Sequence, residues 1–312
     1  GDLWILGGQS NAVGCGYDQS LGRKPMEGVN GLSPRYGICQ WRPAKDGFFE
    51  QTVGPWVTAA QEFTQATKVP VGLMGHAVGG RPMDYFLDPQ TQEMCFLKPL
   101  VEAHGQGAAA FFWYQGESDA FQPETQAAYG KKLDAMAASM RRCTRNENLV
   151  IGIVQLGRYT WHKDDHFAAI RETQRQFVLR DGKSVLFSTL PYEVNAKDKI
   201  HLTTPGYIAL GKQVAAQMIQ RELEGKLQSP GRIVEGAKFE GADRKRIVVR
   251  FRNADGLTGG DSADQWYVTD RDHAGFREGG FVELGKVTVD SSRGQVVLDL
   301  KAAPAGPAAV SY

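Results

Sequence analysis

The chain has 312 residues, 42% of them hydrophobic, so it can bury a sizeable core and suits one large domain with a smaller one beside it. Its net charge of +1 gives it no global electrostatic attraction to nucleic acids or to anionic membranes. No run of about 18 apolar residues is present, so the sequence predicts no membrane-spanning helix and no membrane partner.

Strand-like and helix-like patterns alternate along the first 225 residues. Five unbroken apolar runs are typical of strands buried on both faces of a parallel sheet. They lie at 3–6, 69–74, 108–114, 149–156 and 184–190. Amphipathic stretches of helical length lie at 57–67, 127–142, 167–179 and 205–223, the last with Thr204 as its predicted N-cap before Pro205. This alternation predicts a three-layer α/β/α domain with a parallel sheet and right-handed crossovers.

The pattern changes at the turn-forming residues 228–231. Beyond them, hydrophobic and polar residues alternate in short segments, separated by turn clusters at 253–256 and 291–294. Short alternating strands with such punctuation are typical of a small antiparallel, sandwich-like β domain. We therefore predict an α/β domain over residues 1–228 and a smaller, β-rich accessory domain over residues 229–312.

A candidate nucleophile and a candidate acid–base pair lie where predicted strands end. Ser10 follows the first strand within the glycine-rich segment 7–11, where tight turning exposes its hydroxyl; a helix N-cap is the structural alternative. Asp198 and His201 precede the last helix, three residues apart, so the carboxylate could fix the tautomer of the imidazole. Their structural alternative is an ordinary polar surface loop. Because functional groups gather beyond the carboxyl ends of parallel strands, these residues are read together.

Two further segments after strands contain possible donors to an oxyanion. Gln115 follows the third strand within the segment Trp-Tyr-Gln-Gly-Glu-Ser, and its side-chain amide could donate a hydrogen bond. The pair Gly79-Gly80 follows the second strand, where a backbone N–H could join the same site.

In their order along the chain (Gly-Gln-Ser-Asn, Gly79-Gly80, Trp-Tyr-Gln-Gly-Glu-Ser and the late Asp-x-x-His), the four segments resemble those of the SGNH hydrolase superfamily. Within it they are similar to the carbohydrate acetylesterase branch, which includes sialate O-acetylesterases and plant-type acetylxylan esterases. The resemblance covers about residues 1–225 and implies a flavodoxin-like α/β/α fold. It also implies that Ser10 is the nucleophile, that His201 is the general base and that Asp198 orients His201, with no metal or organic cofactor.

The resemblance extends to the remaining site residues. It implies an oxyanion hole formed by the N–H of Ser10, the N–H of Gly79 or Gly80, and the side chain of Gln115, which replaces the asparagine of the wider superfamily. The candidate substrate-site residues are Gln9, Asn11, Arg81 and Glu117, of which Glu117 is as readily a buried structural acceptor and Arg81 a surface ion pair. The expected partner is an acetylated carbohydrate of open identity, and that substrate class predicts a secreted or periplasmic protein.

Other functions are weighed against this one. A short-chain lipase or thioesterase of the same superfamily and a carbohydrate-binding protein with a decayed site remain alternatives. The α/β-hydrolase fold prefers Gly-x-Ser-x-Gly, and Ala12 occupies its last position. A glycoside hydrolase would need a carboxylate pair, for which Glu117 and Asp198 have no particular support. His162 and His166 lack the glutamate of a zinc-protease motif, so we expect no metal there.

Overall fold

A seven-stranded sheet forms the larger part of the fold in the computed structural model. Its strands are β1 (Asp2–Gly8), β2 (Val29–Ser33), β3 (Ile38–Pro43), β4 (Val71–Ala77), β5 (Ala110–Tyr114), β6 (Val150–Gln155) and β7 (Ser184–Ser188). The structure describes residues 1–34, 38–45, 52–92, 94–157, 167–225, 227, 233–252, 254, 257, 263, 266–269 and 282–311.

The strand order is β3-β2-β4-β1-β5-β6-β7, and every neighbouring pair is parallel except β2 with β3. The five predicted strands are β1 and β4 to β7. Their order, β4-β1-β5-β6-β7, is the flavodoxin-like 2-1-3-4-5 arrangement, which confirms the predicted class. The β2–β3 hairpin at the sheet edge was not predicted, because a strand reading Val-Asn-Gly-Leu-Ser contains no unbroken apolar run.

Seven α-helices occur within the described residues. They are α1 (Ser10–Val13), α2 (Pro55–Thr67), α3 (Met83–Phe86), α4 (Leu97–His104), α5 (Pro123–Thr144), α6 (Ala168–Asp181) and α7 (Thr204–Glu224). Helix α2 packs against α7, whereas α5 packs against α4 and α6, which gives the two helical layers. None of these helices combines the length and the apolar character that crossing a membrane requires.

The predicted helices correspond to α2, α5, α6 and α7, but the N-cap predicted for α7 was wrong by one residue. Thr203 is the N-cap: its backbone is extended, and its hydroxyl accepts the N–H of Gly206 at 3.3 Å. Thr204 is already helical, and its Oγ1 instead accepts the N–H of Asp18 at 3.0 Å. This bond fixes the segment after α1 against the start of α7.

The core lies on both faces of the central strands. Trp4 of β1 is fully buried and packs edge-to-face against Phe63 of α2 at 5.1 Å and Phe112 of β5 at 5.5 Å between ring centroids. Since helices cover both faces, side chains of either parity along these strands are buried, which explains the unbroken apolar runs.

The residues after α7 form smaller antiparallel sheets. Their strands are β8 (Ile233–Glu240), β9 (Arg246–Arg252), β10 (Tyr267–Thr269), β11 (Leu284–Asp290), β12 (Gln295–Leu300) and β13 (Ala309–Ser311). A four-stranded sheet has the order β11-β12-β9-β8, and β10 pairs with β13. Ile247, Val249, Val296 and Leu298 are buried in a hydrophobic cluster of their own, as their alternating pattern predicts. The domain division at residue 228 stays a prediction.

Arg175 of α6 links the α/β part of the chain to β8. Its Nη1 donates to the backbone oxygens of Val234 at 2.5 Å and Glu235 at 3.4 Å. Glu172 holds the same guanidinium at 2.7 and 2.8 Å. The pairing of β8 with β9 shifts register between Val234 and Gly236, so Glu235 has no partner residue on β9.

Candidate active site

The turn from β1 to α1 places Ser10 beyond the carboxyl end of the central strand. Gly8 has φ +138°, and a Cβ at this position would lie 2.0 Å from the carbonyl oxygen of Tyr114 on β5. The N–H of Gln9 donates to that same oxygen at 3.0 Å. Only glycine therefore allows β1 and β5 to approach this closely while the chain turns into α1 at Ser10.

Ser10, His201 and Asp198 form a continuous hydrogen-bonded chain. The distance from His201 Nε2 to Ser10 Oγ is 2.7 Å, and that from His201 Nδ1 to Asp198 Oδ2 is 3.1 Å. Because an ionised carboxylate only accepts, Nδ1 carries the proton and Nε2 is free to accept from the serine hydroxyl. This arrangement can abstract the Ser10 proton.

The Asp198 carboxylate is fixed by its own loop. Its Oδ1 accepts the N–H groups of Ile200 at 3.1 Å and His201 at 3.0 Å. Partial burial opposes ionisation, but the N–H groups of His201 and Ile200 together with the imidazole outweigh it and lower the pKa of Asp198 below its ordinary value. The carboxylate is therefore ionised at neutral pH.

Tyr17 was not predicted as part of this site. Its hydroxyl donates to Asp198 Oδ2 at 3.4 Å, beside the imidazole bond to the same oxygen, and the side chain is 59% exposed. No motif marks it, because contacts between distant segments, such as the bond from the N–H of Asp18 to Thr204 Oγ1, bring it to the loop that contains Asp198 and His201.

Asn11 joins three segments of the site beneath Ser10. Its Nδ2 donates to Glu117 Oε1 at 2.6 Å and to the carbonyl oxygen of Ile200 at 3.3 Å. Its Oδ1 accepts the hydroxyl of Tyr207 on α7 at 2.5 Å. Asn11 and Glu117 are both buried, so they support the segment around Ser10 from within the fold.

Burial raises the pKa of Glu117 to about 7, although the Asn11 amide acts in the opposite direction. Its Oε2 atom is buried without a hydrogen-bond partner in the described structure. Glu117 is thus a buried carboxyl group whose proton is held far more tightly than that of an exposed glutamate.

The two candidate glycines differ in how they face Ser10. A Cβ on Gly79 would lie 3.5 Å from the Cβ of Ser10, whereas one on Gly80 would meet no atom within 4 Å. The N–H of Val78 donates to the carbonyl of Gly8 at 2.9 Å and fixes this loop beside the nucleophile. Within the described residues, neither the Ser10 N–H nor the Gly79 N–H has an acceptor. Gly79 is therefore the glycine whose backbone lies against Ser10.

Gln115 is fully buried and surrounded by acceptors. Its Nε2 donates to Asp119 Oδ2 at 2.5 Å, to the carbonyl oxygen of Arg81 at 3.1 Å and to Gln9 Oε1 at 3.2 Å. Burial raises the pKa of Asp119, against the effect of the Gln115 bond. The side chain of Arg81 is exposed and lies over the ring of Tyr85 at 4.9 Å.

The histidines weighed as metal ligands in the sequence fall in a segment that the structure leaves undescribed. His162 and His166, with Trp161 beside them, lie outside the described residues. Among the residues that the structure does describe, no group of three His, Cys, Asp or Glu side chains could hold a metal ion.

One family profile and several solved structures match this chain. The profile of a family described as carbohydrate esterase, sialic acid-specific acetylesterase, matches residues 1–220. A solved structure of a carbohydrate acetylesterase from Xanthomonas citri is 19% identical, covers 100% of this chain and 75% of that chain, and has a TM-score of 0.70. A protein from Arabidopsis thaliana is 21% identical, with 69% and 96% coverage and a TM-score of 0.57. At these identities the two structures support the fold. Curated protein sequences yield no match.

Proposed function

Because the chain belongs to the carbohydrate esterase family of sialic acid-specific acetylesterases and is a carboxylic ester hydrolase, we propose that it removes acetyl groups from carbohydrates through an acetyl-enzyme on Ser10. The family match includes all four segments that contain the candidate site residues. The observation that carries the proposal is the hydrogen-bonded chain from Ser10 through His201 to Asp198.

The proposed reaction has two halves. His201 Nε2 takes the Ser10 proton as Oγ attacks the acetyl carbonyl carbon, and Asp198 stabilises the imidazolium that results. The imidazolium then protonates the sugar oxygen as the bond between that oxygen and the acetyl carbon breaks. Water, deprotonated by the same imidazole, attacks the acetyl-enzyme, and acetate leaves as Ser10 regains its proton.

The backbone N–H groups of Ser10 and Gly79 are the donors that we assign to the oxyanion of the tetrahedral intermediate. Neither N–H has an acceptor in the described structure, and Gly79 lies beside Ser10, so we expect both to be available without reorganisation when the charge develops. One such donor is commonly worth a factor of about 10² to 10³ in kcat. A direct role for Gln115 requires its amide to leave the acceptors that now surround it.

The substrate that we propose is an O-acetylated sugar or glycan of the sialate or acetylxylan type. Such substrates occur outside the cytoplasm, so a secreted or periplasmic location is part of the proposal. Arg81 is exposed beside the glycine pair, and we propose that it contacts the carbohydrate at the rim of the site.

The test compares hydrolysis of p-nitrophenyl acetate, butyrate and octanoate by the wild type and by Ser10→Ala. We expect a preference for acetate that Ser10→Ala abolishes and that Ser292→Ala, a substitution in an exposed turn, leaves intact. A preference for octanoate would instead favour the lipase alternative. Full activity in Ser10→Ala would rule out the proposed nucleophile. Acetate release from O-acetylated sialic acid and from acetylated xylan is then compared to identify the sugar.

A further inference from the structure

We propose that the side-chain amide of Gln9 donates directly to the oxyanion and that Gln115 is a positioning residue behind it. This inference rests on the proposed function and reassigns one of its donors. It follows from which amide hydrogens are already used in the structure and which are free.

Gln115 has no hydrogen left to offer. Its Nε2 carries two hydrogens and faces three acceptors, at Asp119, Arg81 and Gln9. The side chain is 0% exposed, so no substrate atom reaches it in this arrangement. Because a carboxylate and a backbone carbonyl only accept, the atom facing them must be the amide nitrogen. Rotating the amide towards the substrate would remove the donor to the carbonyl oxygen of Arg81 and leave Asp119 Oδ2 with the N–H of Met83 at 2.9 Å, so the present arrangement is favoured.

In Gln9 the amide oxygen is held by donors, and the amide nitrogen is the free end. Its Oε1 accepts from Gln115 Nε2 at 3.2 Å, from the N–H of Ser118 at 3.3 Å and from the N–H of Gly116 at 3.4 Å. Backbone N–H groups only donate, so these contacts fix the oxygen at this position and leave the nitrogen on the other side of the amide. In the described structure that nitrogen donates to no acceptor, and Gln9 is the residue directly before the nucleophile.

The anchoring also strengthens the free donor. Three donors on one amide oxygen draw electron density towards it, which makes the N–H hydrogens of the same amide more positive. A donor that is pre-oriented and polarised in this way binds a developing negative charge better than it binds the neutral carbonyl of the substrate. The Gln9 hydrogens stay on their nitrogen throughout, since the step needs a hydrogen bond and no proton transfer.

The test uses Gln9→Glu, which has nearly the same shape as glutamine. One carboxylate oxygen can still accept from Gln115, Gly116 and Ser118, while the donor NH2 is replaced by a second oxygen. At pH 8, we expect kcat for p-nitrophenyl acetate to fall by about 10²- to 10³-fold, with KM changed by less than about threefold. The rate at which a p-nitrophenyl alkylphosphonate phosphonylates Ser10 should fall by a similar factor, because its phosphoryl oxygen occupies the oxyanion position.

Gln9→Met and Gln115→Met serve as second variants, and thermal unfolding monitors folding in each. Gln9→Met should lose kcat as Gln9→Glu does, whereas Gln115→Met should lose less, since it only loosens the Gln9 anchor. Gln9→Glu with kcat within about fivefold of wild type, combined with a loss above 10²-fold in Gln115→Met, would overturn the assignment and leave the esterase proposal standing. A wild type inactive on every acetyl ester would instead overturn the proposed function and this assignment with it.

Discussion

At the scale of single residues, Asn11 connects the parts of the site that lie far apart in the chain. One amide contacts the loop after β5 through Glu117, the catalytic loop through Ile200 and helix α7 through Tyr207. A buried polar side chain is stable only when its partners are in place, so this network selects one arrangement of the three segments. The hydrogen bonds of Asn11, the residue after Ser10, therefore fix the position of Ser10 beside His201.

The raised pKa of Glu117 predicts a pH dependence of stability. The folded state keeps this proton up to about pH 7, whereas the unfolded chain releases it near 4.5, so the unfolding free energy contributed by Glu117 falls as pH rises from 4.5 to 7. Glu117→Gln keeps the acceptor for Asn11 and removes the titration. Between pH 4.5 and pH 8, urea unfolding should show the variant gaining up to about 3 kcal/mol relative to the wild type.

Asp88→Asn provides a control of opposite sign. Backbone and side-chain hydrogen bonds from Thr91 lower the pKa of Asp88, so this carboxylate contributes stability that is lost as pH falls through its lowered pKa. An amide at this position does not titrate and lacks that contribution, so Asp88→Asn should lose stability relative to the wild type only as pH rises towards 3.8, the ordinary pKa of this carboxyl group, and should run parallel to the wild type between pH 4.5 and pH 8. Parallel curves for Glu117→Gln and the wild type would contradict the inferred protonation of Glu117.

At the scale of elements, the turn between β1 and α1 depends on Gly8. Gly8→Ala places a methyl group against the Tyr114 carbonyl at a positive φ, so we expect a loss of more than about 4 kcal/mol in unfolding free energy. Gly182→Ala is the matched control: Gly182 has φ +68° with nothing within 4 Å, so it should lose only about 1–2 kcal/mol. Equal losses in thermal or urea unfolding would show that conformation alone, and no steric contact with β5, makes Gly8 necessary.

Sequence patterns predicted the elements that are encoded by the hydrophobicity of consecutive residues. Strands β1 and β4 to β7 are buried on both faces and therefore read as apolar runs, and the motifs at their ends marked Ser10, Asp198 and His201. The β2–β3 hairpin, helix α4 and the N-cap Thr203 depend on tertiary context that a local pattern does not contain. Tyr17 is likewise defined by a bond between distant segments, which no spacing along the chain reveals. Gln9 was among the predicted substrate-site residues, but its contact with Gln115 was not predicted.

At the scale of the whole molecule, Arg175 secures the β8 edge of the four-stranded sheet to helix α6. Arg175→Met keeps the aliphatic stem but leaves the Val234 and Glu235 carbonyls without this donor. Because such a bond contributes about 1–3 kcal/mol, amide hydrogen exchange in β8 should accelerate by roughly tenfold or more. Arg252→Met, which removes an exposed ion pair with the side chain of Glu235, should have little effect. Similar exchange in both variants would mean that packing alone holds the sheet.

The distance along the chain between Ser10 and His201 has a consequence for biosynthesis. The two residues are separated by 191 positions, and at ordinary elongation rates a ribosome needs on the order of 10 to 40 s to add that many. Strand β1, the centre of the sheet, is made first and must wait for β4 and β5 to cover its edges. A nascent chain thus holds Ser10 long before it holds His201, and under the proposed mechanism esterase activity appears only once translation has passed α7.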